Sequence, residues 1–275
     1  MLFDASNRAK PVLKWAGGKS GPLEHLVKHF PSKAEKYFEP FFGGGAVFFA
    51  LDPRLSSHIN DANPELIHLY KTIKKSPVEL MKALDGFAKQ YDEDFYYEMR
   101  AKEPSDGIEK AARTVFLNKT GYNGLYRVNS NGKFNVPFGK RPRCPKLYTR
   151  ENVFQVSERL KKARITNWDF EKVINLAEEG SILYCDPPYE PLNPTSSFNQ
   201  YLSGGFSQVE QTRLKVACER AVERGAQIIL SNSKSPFIKA LYCDWKIKFI
   251  PARRAINSKG AKRGYISESL ILMGN

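Results

Sequence analysis

An α/β fold with a mostly parallel sheet is what this sequence predicts, from three observations. Short apolar runs of strand character alternate with segments of helical spacing. A glycine-rich turn directly follows the first such run. Acids stand at the ends of successive runs, where sheets of this class bind ligands.

The first strand is expected in KYFEPF, residues 36–41, leading into Gly43, Gly44 and Gly45 and then the apolar AVFFAL. That order reads as strand, tight turn, helix. A second strand is expected near His58 to Asp61. Asn63 can cap the next helix with Pro64 in its first turn, and the helix body is expected over HLYKTIKK. Residues 67–120 read as mostly helical, punctuated at Pro77. Residues 121–150 carry turn chemistry in GYNG, NSNG and VPFGKRPRCP.

Beyond this stretch, RITNWDF reads as a strand ending at Asp169, and ILYC as another. Ser207 and Glu210 have capping-box spacing. Leu214, Ala217, Cys218, Ala221 and Val222 then share one helical face, which Gly225 ends. QIILSNS is the next strand, and KIKFIP with SESLILM can close the sheet as an antiparallel hairpin. Residues 67–150 therefore read as an insert, a smaller helical and loop-rich domain. Residues 1–66 and 151–275 form the sheet domain. Glu39, Asp61, Asp169 and Asp186 fall at strand ends.

Charge is concentrated. The net charge is +14. Between Lys110 and Arg150 stand ten basic residues and no acid; between Trp245 and Ser267, seven and none. Without those seventeen, 26 basic residues face 29 acidic ones, so the excess sits in two segments. Such patches fit a polyanion, nucleic acid before a phosphorylated small substrate or an acidic protein. No apolar run approaches the ~18 residues of a membrane helix, and the amino terminus lacks a signal-peptide core. Cys144, Cys185, Cys218 and Cys243 are scattered without a C-x-x-C pair, which favours a reducing cytoplasm over disulfides or zinc. The four histidines read as surface or packing residues, and no metal is expected.

Three motifs carry chemistry. In FEPFFGGGAVFF the glycines let a ligand approach the backbone, although the full dinucleotide fingerprint is absent. Asp61 is either a solvated loop aspartate or an acceptor for two ribose hydroxyls. KWAGGKS is not a phosphate-binding P-loop, because Leu13 stands where the first glycine belongs; it can instead wrap a cofactor, with Trp15 stacking and Lys19 near a carboxylate. Third, CDPPY ends an apolar strand with an acid, a rigid kink and an aromatic ring.

Together KWAGGK, EPFFGGGAVFF, DANPEL, YNGLYR, NVPFG and CDPPY resemble the DNA adenine methylase (Dam) group of amino-methylating S-adenosylmethionine (AdoMet) methyltransferases, in the alpha arrangement. The resemblance runs from Lys14 to about Ile271. It implies a Rossmann-like AdoMet-dependent fold. It also implies an N6-adenine DNA methyltransferase acting on double-stranded DNA, with GATC as its expected site, cytoplasmic, bacterial or phage-encoded, and monomeric in solution. N4-cytosine enzymes more often carry Ser at the position of Asp186, and glutamine methyltransferases Asn. Asp186 and the Pro187 carbonyl would each accept an N6–H bond, Pro188 would stiffen the corner, and Tyr189 would stack on the extruded base. Methyl transfer is then an in-line displacement, and Cys185 is packing. By the same resemblance Trp15, Ala16, Gly17 and Lys19 would contact AdoMet, with Glu39, Phe41, Gly43 and Gly45 forming its loop. Asp61 would take the ribose, and Asp169 and Phe170 the adenine.

For DNA, Arg127 would read a guanine, Tyr122 and Leu125 would wedge beside the flipped base, and Lys14, Asn123 and Pro137 would touch base edges. Without the resemblance, Tyr122 and Leu125 read as core. Lys140, Arg141, Arg143, Arg253, Arg254, Asn257 and Lys259 would lie along the DNA, mostly at phosphates. Two alternatives stand: a restriction–modification adenine methyltransferase with another site, and a non-catalytic DNA-binding protein on the same fold.

Overall fold

The computed structural model describes residues 3, 9–52, 54–191, 206–253 and 265–274. Helix α1 (Leu23–Val27) precedes strands β1 (Lys36–Glu39) and β2 (Ser56–Asn60). Five helices follow: α2 (Pro64–Lys75), α3 (Pro77–Lys89), α4 (Glu93–Ala101), α5 (Gly107–Thr120) and α6 (Arg150–Lys161). The chain continues with β3 (Ala163–Thr166), α7 (Phe170–Ile174), β4 (Ser181–Cys185), α8 (Gln208–Glu223), β5 (Gln227–Asn232) and α9 (Pro236–Leu241). Strands β6 (Lys246–Arg253) and β7 (Tyr265–Met273) close it.

The strands form one seven-stranded sheet in the order β3-β2-β1-β4-β5-β7-β6. Neighbours from β3 to β5 run parallel, and β7 runs antiparallel to both β5 and β6. The expected hairpin is therefore present, with Ile250 opposite Glu268. Alternation along each strand splits the core into two faces. Tyr37, Ile182, Tyr184 and Ile229 join a cluster that continues into α2–α6 through Leu69, Phe116 and Val153. Phe38, Leu183, Cys185 and Leu230 face the opposite way, against Val173, Leu214, Cys218 and Ile238. Cys185 is packing, as expected.

Local chemistry fixes most boundaries. Asn63 accepts from the Glu65 and Leu66 N–H groups, and Pro64 is the first residue of α2. Ser207 accepts from the Glu210 N–H at the start of α8, and Gly225 follows that helix at φ +90°. Two expectations are corrected. AVFFAL forms only a 3-10 turn, Phe48–Ala50. Between Gly45 and the Asp52–Pro53 break the segment has room for less than two helical turns. The RITNWDF strand ends at Thr166, and Asp169 is instead the N-cap of α7, accepting from the Glu171 N–H. The side chain of Asn60 intervenes: it accepts from the Trp168 N–H at 2.8 Å and donates to the Trp168 carbonyl at 3.1 Å, bending the chain out of the ladder.

His58 lies buried in β2, with Nε2 2.9 Å from the Thr166 hydroxyl. Burial lowers its pKa from 6.5 to about 4. The unfolded chain then binds this proton first, so the stability is complete above 6.5 and is lost as pH falls from there towards 4. Thermal melts across that window are expected to fall more steeply for the native protein than for His58→Gln; parallel curves would show that His58 carries none of the slope.

Candidate functional site

The chain order turns back between β1 and β4: β2 and β3 extend the sheet to one side, β4 and β5 to the other. A crevice opens at the carboxyl ends of strands at such a point. Here a cleft of about 1040 Å³ lies between the β1–β2 glycine turn, the KWAGGK loop and the end of β4. All the residues expected to hold the cofactor line it, as does the whole Asp186–Tyr189 corner. Lys14 and Asn123 join them from the DNA-reading set.

The glycine turn is bound to its acid. Asp61 Oδ2 accepts from the Gly43 N–H at 2.8 Å, and Oδ1 from the Asn63 N–H at 2.9 Å. Gly43 has φ +49°, and a Cβ there would lie 2.9 Å from the Trp15 indole. Gly45, at φ +70°, is as restricted, with Phe42 2.3 Å from where its Cβ would stand. Both positions need glycine for backbone conformation and for space. Burial pushes the Asp61 carboxyl up, against the two N–H bonds that hold it down. Glu39 is 2 % exposed and accepts from the Tyr37 hydroxyl at 2.8 Å. Burial raises its carboxyl well above the usual range, and Asp186 adds to this.

At the end of β4, Lys19 Nζ lies 2.7 Å from Asp186 Oδ1 and donates to the Gly17 carbonyl at 2.8 Å. Burial raises the Asp186 carboxyl, and Lys19 and Tyr189 draw it back. The Pro188 carbonyl accepts from Gln211, which is held in turn by Asn232. Tyr189 donates to Glu268 at 2.9 Å. Glu39, Asp61 and Asp186 thus line the cleft against Lys19, with Glu268 bonded to Tyr189 and 3.8 Å from the same ammonium, an acidic floor in a chain of net charge +14. Such a donor set suits a cationic ligand, which would draw the raised carboxyls back to their charged forms.

The far wall is aromatic. Phe41 packs on Phe170 at 5.3 Å and on Phe206 at 5.7 Å, and Trp168 lies alongside. Asp169 is not a free acceptor here. Arg213 holds it through two bonds of 2.9 and 2.8 Å, keeping its carboxyl below the usual value, and lies 4.2 Å over the Phe170 ring.

Of the other DNA-reading candidates, Tyr122, Leu125 and Arg127 lie outside the cleft lining, on the turn after α5. YNGLYR and NVPFG are knitted together: the Tyr122 N–H donates to the Pro137 carbonyl at 2.9 Å, and Gly139 to Thr120 at 2.9 Å. Tyr122 is 49 % exposed, so it is not core, whereas Leu125 is partly buried against the core. Arg127 is exposed, and its Nε and Nη2 donate to the Asn135 carbonyl at 3.0 and 2.6 Å. Pro137 and Lys140 are exposed and Arg141 half-buried. Arg253 lies in β6, while Arg254, Asn257 and Lys259 fall outside the described residues.

Four contributors escape sequence reasoning. Asn118, fully buried in α5, accepts from the Lys14 N–H and donates to the Lys14 and Gly124 carbonyls, tying the KWAGGK loop to the YNGLYR turn. Tyr126 packs 5.1 Å from Trp15 and donates to Glu65 at 3.1 Å. Gln211 and Glu268 complete the set. Tyr126 stands inside the YNGLYR motif, and Glu268 left a trace as a lone acid at the mouth of an apolar run. Among the described residues no His, Cys, Asp and Glu cluster is placed to hold a metal, and no helix is long and apolar enough to cross a membrane.

Residues 15–256 match the family model of the D12 class N6 adenine-specific DNA methyltransferases. The chain is 39 % identical to a type II methyltransferase of Lactococcus lactis subsp. cremoris, over 95 % of this chain and 94 % of that protein. It is 40 % identical to a type II methyltransferase of Methanocaldococcus jannaschii, over 92 % and 95 %. To the DNA adenine methylase of Escherichia coli K12 it is 34 % identical, over 97 % and 95 %.

Proposed function

The chain belongs to the D12 class N6 adenine-specific DNA methyltransferases, and we propose that it methylates the flipped-out adenine of a short duplex site, GATC, with AdoMet as methyl donor. The observation that carries this is the meeting, in one cleft, of the Asp186–Pro187–Pro188–Tyr189 corner with the Gly43 turn and Asp61. The cofactor supplies a sulfonium methyl, an electrophile that suits the negative floor. Asp61 would take the ribose hydroxyls, Trp15 with Ala16 and Gly17 would wrap the ligand, and Phe41 and Phe170 would flank its adenine. Because Arg213 already holds Asp169, that carboxylate serves this wall through its helix cap and ion pair.

The target N6 is a poor nucleophile, its lone pair delocalised into the ring. Asp186 and the Pro187 carbonyl would each accept one N6–H, favour a pyramidal nitrogen and offset its growing positive charge. The Pro188 carbonyl already accepts from Gln211. Extrusion costs a few kcal/mol, offset in part by stacking on Tyr189.

Residues 67–150 would be the recognition unit. Arg127 would read a guanine, Tyr122 and Leu125 would fill the space left by the flipped base, and Lys14, Asn123 and Pro137 would meet base edges. Lys140, Arg141, Arg253, Arg254 and Asn257 would follow the DNA backbone. A restriction–modification role is the second reading, favoured by the two relatives named as type II methyltransferases; it changes the biological setting and not the chemistry. A monomer acting in the cytoplasm suits either.

Long-read methylation mapping of DNA treated with the protein tests this directly. N6-methyladenine is expected in GATC; methylation confined to another site would overturn the assignment. Arg127→Ala is expected to lose ~5- to 150-fold in discrimination at one base pair, the worth of about 1–3 kcal/mol. Equal losses on cognate and substituted duplexes would remove Arg127 from base reading.

A further inference from the structure

We propose that Glu268 is a positioning residue for the methyl-acceptor site: it fixes the Tyr189 ring through the phenol hydroxyl and shares the Lys19 ammonium with Asp186. The inference rests on the reading that Asp186 and Tyr189 receive the target base.

Glu268 enters the site from β7, an element remote in sequence from both CDPPY and KWAGGK. Next to it in that strand, Ser269 to Met273 are buried. Its side chain is only 15 % exposed. One oxygen makes both contacts: Oε2 accepts from the Tyr189 hydroxyl at 2.9 Å and lies 3.8 Å from Lys19 Nζ. The same ammonium is 2.7 Å from Asp186 Oδ1 and 5.0 Å above the Tyr189 ring. Tyr189 is thus held at its polar tip by Glu268 and on one face by Lys19, which leaves the other face to meet a base.

Packing does not account for an acid here. Among the described residues Lys19 is the one cation within salt-bridge distance of Glu268, and it lies closer to Asp186, so two carboxyl groups share one ammonium. Burying such a charge is costly, and an apolar side chain would fill the position without that penalty. Burial accordingly raises the Glu268 carboxyl, Asp186 adds to this, and Lys19 and Tyr189 draw it down. Two functions follow. A ring locked in plane stacks without first losing rotational freedom. An ammonium drawn towards a second carboxylate also binds Asp186 less exclusively, and its other oxygen stays available to an N6–H.

The test combines Glu268→Leu, Glu268→Gln and Tyr189→Phe, assayed for single-turnover methylation and for emission from a duplex carrying 2-aminopurine at the target adenine. That fluorophore brightens when extruded and is quenched when stacked on an aromatic ring. Glu268→Leu is expected to slow methylation about 10- to 100-fold, the worth of a hydrogen bond to a charged acceptor, to change DNA affinity little, and to brighten the bound fluorophore. Glu268→Gln, whose amide oxygen still accepts the phenol proton, is expected to recover most of the rate. In a Tyr189→Phe background Glu268→Leu should add less than about threefold, since the shared bond is already gone. Equal losses from Glu268→Leu in both backgrounds would overturn the proposal. Native rate and emission in Tyr189→Phe alone would also overturn it, and that variant keeps the ring and its packing. A native protein that leaves DNA unmethylated would instead sink the site reading beneath it.

Discussion

Asp186→Ala is expected to slow methyl transfer by at least about 10³-fold while AdoMet still binds and the fold persists. Three features of the corner set that size. Asp186 follows a strand whose five residues are all buried, so its position is rigid. The two prolines behind it prevent the chain from relaxing to bring in another acceptor. Lys19 then loses its 2.7 Å partner and is left with the more distant Glu268 at 3.8 Å, so less negative charge faces the place where positive charge would develop. Asp186→Asn should lose nearly as much, because its amide offers a neutral oxygen and a misdirected donor. Radiolabelled methyl transfer with saturating AdoMet measures the effect; turnover within tenfold of the native enzyme would remove Asp186 from the reaction. The native rate should itself fall on acidification. A protonated carboxyl accepts poorly, and burial holds this group above its ordinary 3.8.

Asp61→Ala is expected to weaken AdoMet binding by at least about 100-fold, the lower end of what two hydrogen bonds to a charged acceptor are worth. Its carboxylate acts twice. It would hold the ribose, and it already holds the turn: without it the Gly43 and Asn63 N–H groups lose their acceptor. Because Asn63 caps α2, a modest drop in melting temperature should accompany the loss. Asp61→Asn keeps one acceptor oxygen and should fall between. Calorimetric titration with AdoMet reads the result, and an unchanged affinity would remove the ribose assignment. Loss of affinity with an unchanged melting temperature would assign Asp61 to the ligand alone.

Much of this site is legible in the chain because its parts are local. A glycine turn after an apolar run, an acid after the next and D-P-P-Y after a third each report a backbone event within a few residues. The caps at Asn63 and Ser207 are local in the same way. Less legible were features decided by neighbours. Tyr122 and Leu125 could have been core, and only the turn after α5, pinned to Pro137 and Thr120, leaves Tyr122 outside while Leu125 leans inward. Asp169 read as a strand-end ligand residue until Arg213, 44 residues away, took its carboxylate. AVFFAL has helical composition, but its flanking breaks permit only a short turn.

By itself the sequence determined the strand–helix alternation, the acids at the strand ends, the basic segments and the residue types the chemistry needs, since each is written in short-range pattern. Tertiary structure alone decided which β strands adjoin, and so where β1 and β4 part to open the cleft. It also decided that Asn118 would lace the KWAGGK loop to the YNGLYR turn, and that Glu268 would meet the Tyr189 hydroxyl. Those pairings join residues from 79 to 104 positions apart; they depend on strand order and register, which no local window of residues specifies.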